Sequence, residues 1–258
     1  MRILVAIPRT ILTYLAGGVM TLICGPLAII VGRRNPSSPF IEKLIFLWSK
    51  TWLVAAGCPL EVQGRENVER GRSYVVVANH LSNLDVMACF LAVPVPIRYL
   101  AKRELFKVPI LAPAMRAVGI VEVDREARSA VHEQVNLQSK QVIDRGHSII
   151  IYPEGTRSRE GVLRPFKKGA FTIAIASGLP VVPVTLHGTY QAWPPAKRLV
   201  YGGKISVVID PPIPTEGLTI SDGSTILRQA QEIISGRLRQ LSPPGEGSAA
   251  GAGEGGAR

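Results

Sequence analysis

Residues 74–85 read YVVVANHLSNLD, a short β-branched run that leads through a polar segment into a new apolar stretch. A continuous valine run bounded by polar and turn-forming residues is typical of a buried strand in a parallel sheet. Asp85 follows Ser82 at the spacing of a capping box, which marks the first turn of a helix. The segment therefore predicts a strand, a turn and a helix, with the turn at the sheet edge where α/β folds place their sites.

The same alternation continues along the chain. The predicted strands are residues 74–78, 97–101, 120–123, 148–152, 181–186 and 205–209, and the predicted helices are residues 85–92, 105–118, 127–145, 169–177 and 221–241. Such alternation predicts an α/β fold over residues 57–241, with a mostly parallel or mixed sheet covered by helices. Residues 242–258, rich in Gly, Ala, Ser and Pro, are expected to form a disordered tail.

Residues 1–56 are predicted to form membrane-associating helices ahead of that domain. Residues 10–31 contain no charged side chain, and residues 40–56 are apolar but carry aromatic residues, one glutamate and two lysines. About 20 apolar residues can cross a bilayer, whereas aromatics and lysines suit a helix in the interface. Two helices in one leaflet, a true span and a buried helix of a soluble domain are the alternatives. A cleaved signal peptide is disfavoured, because the apolar region is too long and no clear cleavage site follows it.

The charge and cysteine content narrow the class of partner. Thirty Lys and Arg side chains against 19 Asp and Glu give a net charge of +11, which favours anionic partners. The aromatic fraction is 6% and no basic helix or finger-type spacing occurs, so we expect anionic membrane lipid and no nucleic acid. Cys24, Cys58 and Cys89 lie far apart in apolar stretches and are expected to be buried thiols.

His80 and Asp85 are the candidate catalytic pair. A carboxylate at the start of the helix can accept a hydrogen bond from one imidazole nitrogen and leave the other nitrogen to take a proton from a hydroxyl group. Backbone amides of the turn after His80 are expected to stabilise a developing oxyanion. The alternative is structural, because Asp85 in this position can do no more than cap a helix.

Residues 152–158, YPEGTRS, follow another apolar strand and carry the chemistry of an anion site. Gly155 permits a backbone turn that other residues resist. Arg157 offers a planar fork suited to phosphate, and Thr156 adds a hydroxyl donor. Residues 164–169, RPFKKG, bring further cations to the start of a predicted helix. The alternative is a surface loop held by an ordinary ion pair.

Two further segments complete the pattern, although each alone is more typical of a structural element. Residues 119–125, GIVEVDR, end a predicted strand in Asp124 and Arg125, and residues 179–184, LPVVPV, join a helix to a strand. All four segments occur in an order and at separations that resemble those of the glycerolipid acyltransferases. Within that family the chain is most similar to the 1-acyl-sn-glycerol-3-phosphate acyltransferases.

The resemblance implies that His80 and Asp85 are catalytic. The acceptor-binding residues that it implies are Lys102, Arg125, Glu154, Gly155, Thr156 and Arg157, with Glu104 on the surface between the segments. Two positions depart from the family pattern. Glu122 stands where an apolar residue or proline is usual, and Tyr152 stands where phenylalanine is common. We expect neither departure to contact a catalytic atom.

The resemblance also implies a reaction. An acyl group would pass from acyl-CoA or acyl-carrier protein to the sn-2 hydroxyl of 1-acyl-glycerol 3-phosphate, giving phosphatidic acid, with the catalytic domain on the cytoplasmic face of a membrane. No cofactor is expected. A thioester is already an activated acyl donor, so no covalent acyl intermediate is needed. Another lysophospholipid or glycerol 3-phosphate is the alternative acceptor, and a non-catalytic basic membrane-binding module is the alternative to an enzyme. A hydrolase is disfavoured, since no Gly-x-Ser-x-Gly nucleophile motif occurs.

Overall fold

The computed structural model describes residues 2–123 and 138–242. Within them the strands are β1 Leu60–Gln63, β2 Val75–Ala78, β3 Ile97–Lys102, β4 Val121–Val123, β5 Ser148–Ile151, β6 Val181–His187 and β7 Ile205–Ile209. The helices are α1 Arg2–Arg34, α2 Pro39–Ala55, α3 Leu84–Ala92, α4 Leu111–Val118, α5 at residues 138–144, α6 Gly169–Ser177, α7 Thr189–Ala192 and α8 Gly223–Leu241.

The strands form one sheet in the order β1-β7-β6-β2-β5-β3-β4. All neighbouring strands are parallel except β6 and β7, which pair antiparallel. The predicted α/β fold with a mixed, mostly parallel sheet is therefore confirmed. The valine run of residues 75–78 forms the central strand β2, and all four of its residues are buried. The polar segment that follows β2 thus emerges at the middle of the sheet edge.

Alternate residues of β2 point into two apolar layers on opposite faces of the sheet. Val76 and Ala78 pack in the layer that contains α3 and the end of α2. Val75 and Val77 pack against α6 and α8. Because both faces are covered, the strand reads as an uninterrupted apolar run rather than as an alternating one.

Local departures from the sequence prediction have local causes. The predicted helix over residues 105–118 is a 3₁₀ turn, Arg103–Lys107, followed by α4. Pro109 separates the two, because proline disfavours helical geometry in the residue before it. Strand β1 was not predicted. Of the predicted helix at residues 127–145, residues 138–144 are helical and the first part lies outside the described residues, as does the predicted tail beyond Ser242.

Helix α1 continues through its glycines and packs closely along its neighbours. A Cβ atom at Gly17 would lie 2.3 Å from the ring of Trp52 in α2, and one at Gly32 would lie 2.6 Å from the Ala117 carbonyl oxygen in α4. Glycine is therefore required for this close approach. Near its other end, the Arg9 guanidinium donates to the Tyr201 carbonyl. Helix α1 thus contacts the rest of the protein along most of its length.

The opposite face of α1 is apolar and exposed. By length and composition, helix α1 is long and apolar enough to cross a membrane, and 28% of its most apolar 18-residue stretch is buried. Among its exposed side chains are Ile3, Leu4, Ile11, Leu12, Leu15, Val19, Leu22 and Ile30. A continuous apolar face of this size marks a surface for lipid or for another protein.

Candidate active site

The turn after β2 is held to the neighbouring strand by a buried amide. The Asn79 side chain donates to the Leu186 carbonyl and accepts from the Leu186 N–H, both at 2.8 Å. These two bonds join the end of β2 to β6 and set the direction in which the chain leaves the sheet. No role for Asn79 is predicted from the sequence, although an asparagine directly after a buried strand is the signal that could have indicated one.

The structure brings His80 and Asp85 together. His80 Nδ1 lies 2.8 Å from Asp85 Oδ2, and the same oxygen accepts 2.7 Å hydrogen bonds from the backbone N–H groups of Leu81 and Ser82. The Asp85 side chain is fully buried. Asp85 therefore closes the turn and also orients the imidazole. The turn amides expected to stabilise an oxyanion are instead bonded to Asp85, so that expectation is wrong for Leu81 and Ser82.

The hydrogen-bond pattern assigns roles to the two imidazole nitrogens. An ionised carboxylate only accepts, so Nδ1 of His80 carries the hydrogen that Asp85 receives. Nε2 then holds a lone pair and can act as a base. The His80 side chain is 15% exposed, which leaves it within reach of a small group at the surface.

Tyr152 lies flat against the His80 imidazole. The ring centroids of His80 and Tyr152 are 3.9 Å apart and their planes differ by 7°. The expectation that Tyr152 contacts no proposed catalytic atom is therefore wrong, because β5 lies beside β2 and its end brings residue 152 to the turn. Glu122, the other departure from the family pattern, pairs instead with Arg116 and Arg103 at 3.4 and 3.8 Å.

The carboxylate of Glu154 is turned inward. Oε1 accepts from the His80 backbone N–H at 2.6 Å and Oε2 accepts from the Arg164 backbone N–H at 2.9 Å. The side chain is 3% exposed, and burial raises the pKa of Glu154 to about 7 against the opposing effect of the two backbone donors. Glu154 therefore connects the turn at residues 79–85 to the backbone of Arg164.

An open cleft of about 470 Å³ lies beyond Glu154. It is lined by Thr156, Arg157, Ser158, Arg159, Glu160 and Arg164. Arg157 donates to the Asn83 side-chain oxygen in the turn at residues 79–85, which sets its guanidinium beside that turn. Gly155 has a φ of +74° and lies against the Lys167 side chain, so the turn needs glycine. Three arginine side chains around one open cleft favour an anionic ligand.

The remaining predicted site residues lie elsewhere. Lys102 is exposed at the end of β3, two strands away from β2, and is not among the described residues that line the cleft. Glu104 is exposed in the 3₁₀ turn Arg103–Lys107. Arg125 lies outside the described residues. The structure thus joins the first and second segments into one site and leaves the predicted roles of these three residues as predictions.

Comparison with known proteins places this geometry in a family. The model of the acyltransferase family matches residues 59–187. The chain is 30% identical to the 1-acyl-sn-glycerol-3-phosphate acyltransferase of Pseudomonas aeruginosa over 91% of this chain and 92% of that protein. It is 29% identical to the human 1-acyl-sn-glycerol-3-phosphate acyltransferase alpha, over 84% of this chain and 76% of that protein.

A solved structure gives the same result for the fold. The crystal structure of the 1-acyl-sn-glycerophosphate (LPA) acyltransferase PlsC from Thermotoga maritima superposes with a TM-score of 0.81 at 26% identity. The likeness covers 93% of this chain and 98% of that one, so it includes the N-terminal helices as well as the sheet. The chain that carries His80 and Asp85 on this fold belongs to the acyltransferase family.

Proposed function

We propose that this protein transfers an acyl group from an acyl thioester to the sn-2 hydroxyl of 1-acyl-glycerol 3-phosphate and releases phosphatidic acid. The observation that carries the proposal is the junction of two sites. A histidine held by a buried carboxylate lies next to an arginine-lined cleft, and Glu154 bonds the backbone of both. The names of the relatives agree with a phosphorylated lysolipid acceptor.

His80 acts as the base in this reaction. Nε2 takes the proton of the acceptor hydroxyl as the oxygen attacks the thioester carbonyl. The tetrahedral intermediate then collapses and expels the thiolate, which receives the proton from the imidazolium. Asp85, fully buried at 2.8 Å from Nδ1, stabilises that imidazolium and keeps the ring in one tautomer. A thioester is an activated donor, so alignment and proton transfer supply the catalysis without a covalent acyl-enzyme.

The acceptor phosphate binds in the cleft. Arg157, Arg159 and Arg164 line it, and guanidinium groups bind phosphate through paired hydrogen bonds. Because Arg157 is bonded to Asn83 of the catalytic turn, a phosphate at Arg157 keeps the glycerol hydroxyl near His80. Arg125 and Lys102 stay predicted contributors to acceptor binding. The choice between acyl-CoA and acyl-carrier protein as donor is an outcome of the assay below.

We also propose that α1 and α2 lie in one leaflet of a membrane whose cytoplasmic face carries the domain. Helix α1 packs against the protein at Arg9, Gly17 and Gly32, so no bilayer-thick stretch of it is clear of the domain. Its exposed apolar face can enter the lipid while the domain stays at the interface. The net charge of +11 adds an attraction to anionic lipid.

Release of free thiol tests the reaction. Full-length protein in vesicles receives acyl-CoA or acyl-carrier protein, with lysophosphatidate, with glycerol 3-phosphate, or with no acceptor. We expect thiol release that depends on lysophosphatidate and matches the phosphatidic acid formed, and none with His80→Ala. Release without an acceptor would make the protein a hydrolase. No release with either donor would leave a membrane-binding module, and preference for glycerol 3-phosphate would change the assigned acceptor.

A further inference from the structure

We propose that Tyr152 is a positioning residue for the catalytic base. Its ring holds the His80 imidazole in one orientation and stabilises the imidazolium that forms when the acceptor hydroxyl loses its proton. The inference rests on the function proposed above, in which His80 is that base. It concerns a position that lies outside the His-x-x-x-x-Asp pair and the Glu-Gly-Thr-Arg block.

The contact complements the Asp85 hydrogen bond in geometry. The bond from Nδ1 to Asp85 fixes one edge of the imidazole but lets the ring pivot about the axis of that bond. Tyr152 covers the face of the ring with centroids 3.9 Å apart and planes 7° apart, which removes the pivot. The two contacts together direct Nε2 along a single line, as proton transfer to a positioned base requires.

The contact also has an electrostatic consequence. The face of an aromatic ring attracts a cation that lies over it. The neutral imidazole becomes an imidazolium when it accepts the hydroxyl proton, so the Tyr152 face favours the charged form. Stacking on neutral His80 is worth less, so the stabilisation is larger after proton transfer than before it, which is the condition for faster catalysis.

The phenol hydroxyl ties this ring to the helix that carries Asp85. Tyr152 donates to the Tyr99 hydroxyl at 3.3 Å, and Tyr99 donates to the Val86 carbonyl in α3 at 3.0 Å. Burial raises the pKa of both phenols well above the usual value, so both stay neutral donors near pH 7. Phenylalanine at position 152 would keep the ring face and lose this link. The structure therefore assigns the main effect to the ring and a smaller effect to the hydroxyl.

Other groups that face His80 have to be separated from Tyr152. Asp85 bonds the His80 ring and Glu154 bonds the His80 backbone. Arg157 is bonded to the same turn through Asn83. Behind Tyr152 lies Cys89, a thiol whose pKa burial raises to about 12, so it carries no charge near pH 7. Leucine and phenylalanine at position 152 both lose the hydroxyl contacts with Tyr99 and Cys89. A difference between these two variants therefore reports the ring.

The test observes the His80 imidazole directly. Full-length protein labelled at histidine is followed by NMR in detergent micelles, and the His80 signal is assigned with His80→Ala. We expect Tyr152→Leu to move the ring signals of His80 away from their parent positions, because an aromatic face no longer covers the imidazole. Tyr152→Phe should leave those signals near their parent positions, because the ring face is kept.

The same variants are compared in turnover of lysophosphatidate. We expect Tyr152→Leu to lower kcat about tenfold at unchanged acceptor KM, and Tyr152→Phe to restore at least half of the parent kcat. Tyr152→Met replaces the leucine variant if circular dichroism shows that the latter is unfolded. His80 ring signals and a kcat in the folded aliphatic variant equal to those of the parent would overturn the inference. Activity in folded His80→Ala would instead overturn the proposed function, while the NMR comparison would still test the ring contact.

Discussion

The turn at residues 79–85, which carries the proposed base, and the cleft at residues 154–164 are built in opposite ways. In the turn, the buried side chains of Asn79 and Asp85 are bonded before any substrate arrives. The cleft is open, and Arg159 and Arg164 are exposed to solvent along it. A base needs a fixed direction, whereas an anion site needs cations that the ligand itself can pair. The turn is therefore held by its own hydrogen bonds, whereas the exposed cations of the cleft remain available to a ligand.

Glu154 is the point at which the two regions meet. Its carboxylate bonds the backbone of His80 on one side and of Arg164 on the other, and its side chain is almost fully buried. It belongs by sequence to the anion-binding block and by contacts to the rigid turn. Changes in each region should therefore have different kinetic signatures, and a change at Glu154 should affect both.

Loss of the base should have the largest effect. His80→Ala removes Nε2 and should lower kcat by about 10²–10⁴-fold, because that is the usual contribution of a positioned base. Its effect on acceptor KM should be small, since the arginines of the cleft are untouched. The measurement is steady-state turnover of lysophosphatidate, with circular dichroism to show that the variant is folded. Parent-like turnover in the folded variant would mean that His80 is not the base.

The ionisation of Glu154 should make stability depend on pH. Burial raises its pKa to about 7 from an ordinary value of 4.5, so the folded protein favours the protonated form. The contribution of Glu154 to the free energy of unfolding is fully present below pH 4.5 and is lost as pH rises through 7. The total loss is about 3 kcal/mol. Glu154→Gln does not titrate and should remove this component from the unfolding free energy measured between pH 4.5 and 8. Equal pH dependence in the two proteins would show that Glu154 ionises normally.

Asp85→Asn should have a slightly smaller effect on turnover than His80→Ala. The amide oxygen can still accept from the turn, but the neutral side chain no longer stabilises the imidazolium, so kcat should fall about 10²-fold. The matched change is Asn83→Ala, which removes the turn contact of Arg157, a cleft residue, and leaves the base intact. If the turn and the cleft are distinct, Asn83→Ala should act mainly on acceptor KM. A similar loss of kcat in both variants would erase the distinction.

Arg157→Lys should show the signature of the open cleft. Lysine keeps the charge but loses the planar fork, so acceptor KM should rise about tenfold while donor KM and kcat change little. The comparison acceptor is a 1-acylglycerol without phosphate, for which parent and variant should be alike. If the parent protein used the phosphorylated and unphosphorylated acceptors equally, the cleft would not be a phosphate-binding site.

Local patterns in the sequence predict much of this architecture. The bounds of α6 and β7 were predicted without error, and β2 and α2 nearly so, because apolar period and turn residues are local signals. Strand β1 was missed since it is four residues long and pairs with β7, which is remote in the chain. A short strand of this kind takes its conformation from its partner rather than from its own residues.

The site shows the same limit. The pairing of His80 with Asp85 follows from five residues of spacing and a helix start, so it can be read from the sequence. The stacking of Tyr152 on His80 depends on β5 lying beside β2, a contact between residues more than 70 positions apart. The inward direction of the Glu154 carboxylate depends on the path of the chain to Arg164. The sequence alone therefore does not predict which side chains from neighbouring strands and loops point toward each other.

Salt should have the smallest of these effects. It should weaken binding in the charged cleft and leave the attachment of the apolar α1 face almost unchanged. The proposed attachment to lipid rests on the apolar face of α1, where burial contributes about 25 cal/mol per Å². Screening acts only on the smaller attraction between basic residues and anionic lipid. We therefore expect nearly all of the protein to stay on vesicles at 1 M salt. The same salt should raise acceptor KM, because the cleft binds by charge.

Two matched substitutions check the apolar part of that argument. Leu15→Glu places a charge on the exposed face of α1, and Gln229→Glu places the same charge on the exposed surface of α8. Leu15→Glu should weaken vesicle binding and lower turnover of bilayer-embedded lysophosphatidate more than that of a short-chain soluble acceptor. Gln229→Glu should change neither. Complete release of the parent protein by salt, or equal behaviour of the two variants, would show that charge and not the α1 face holds the protein at the membrane.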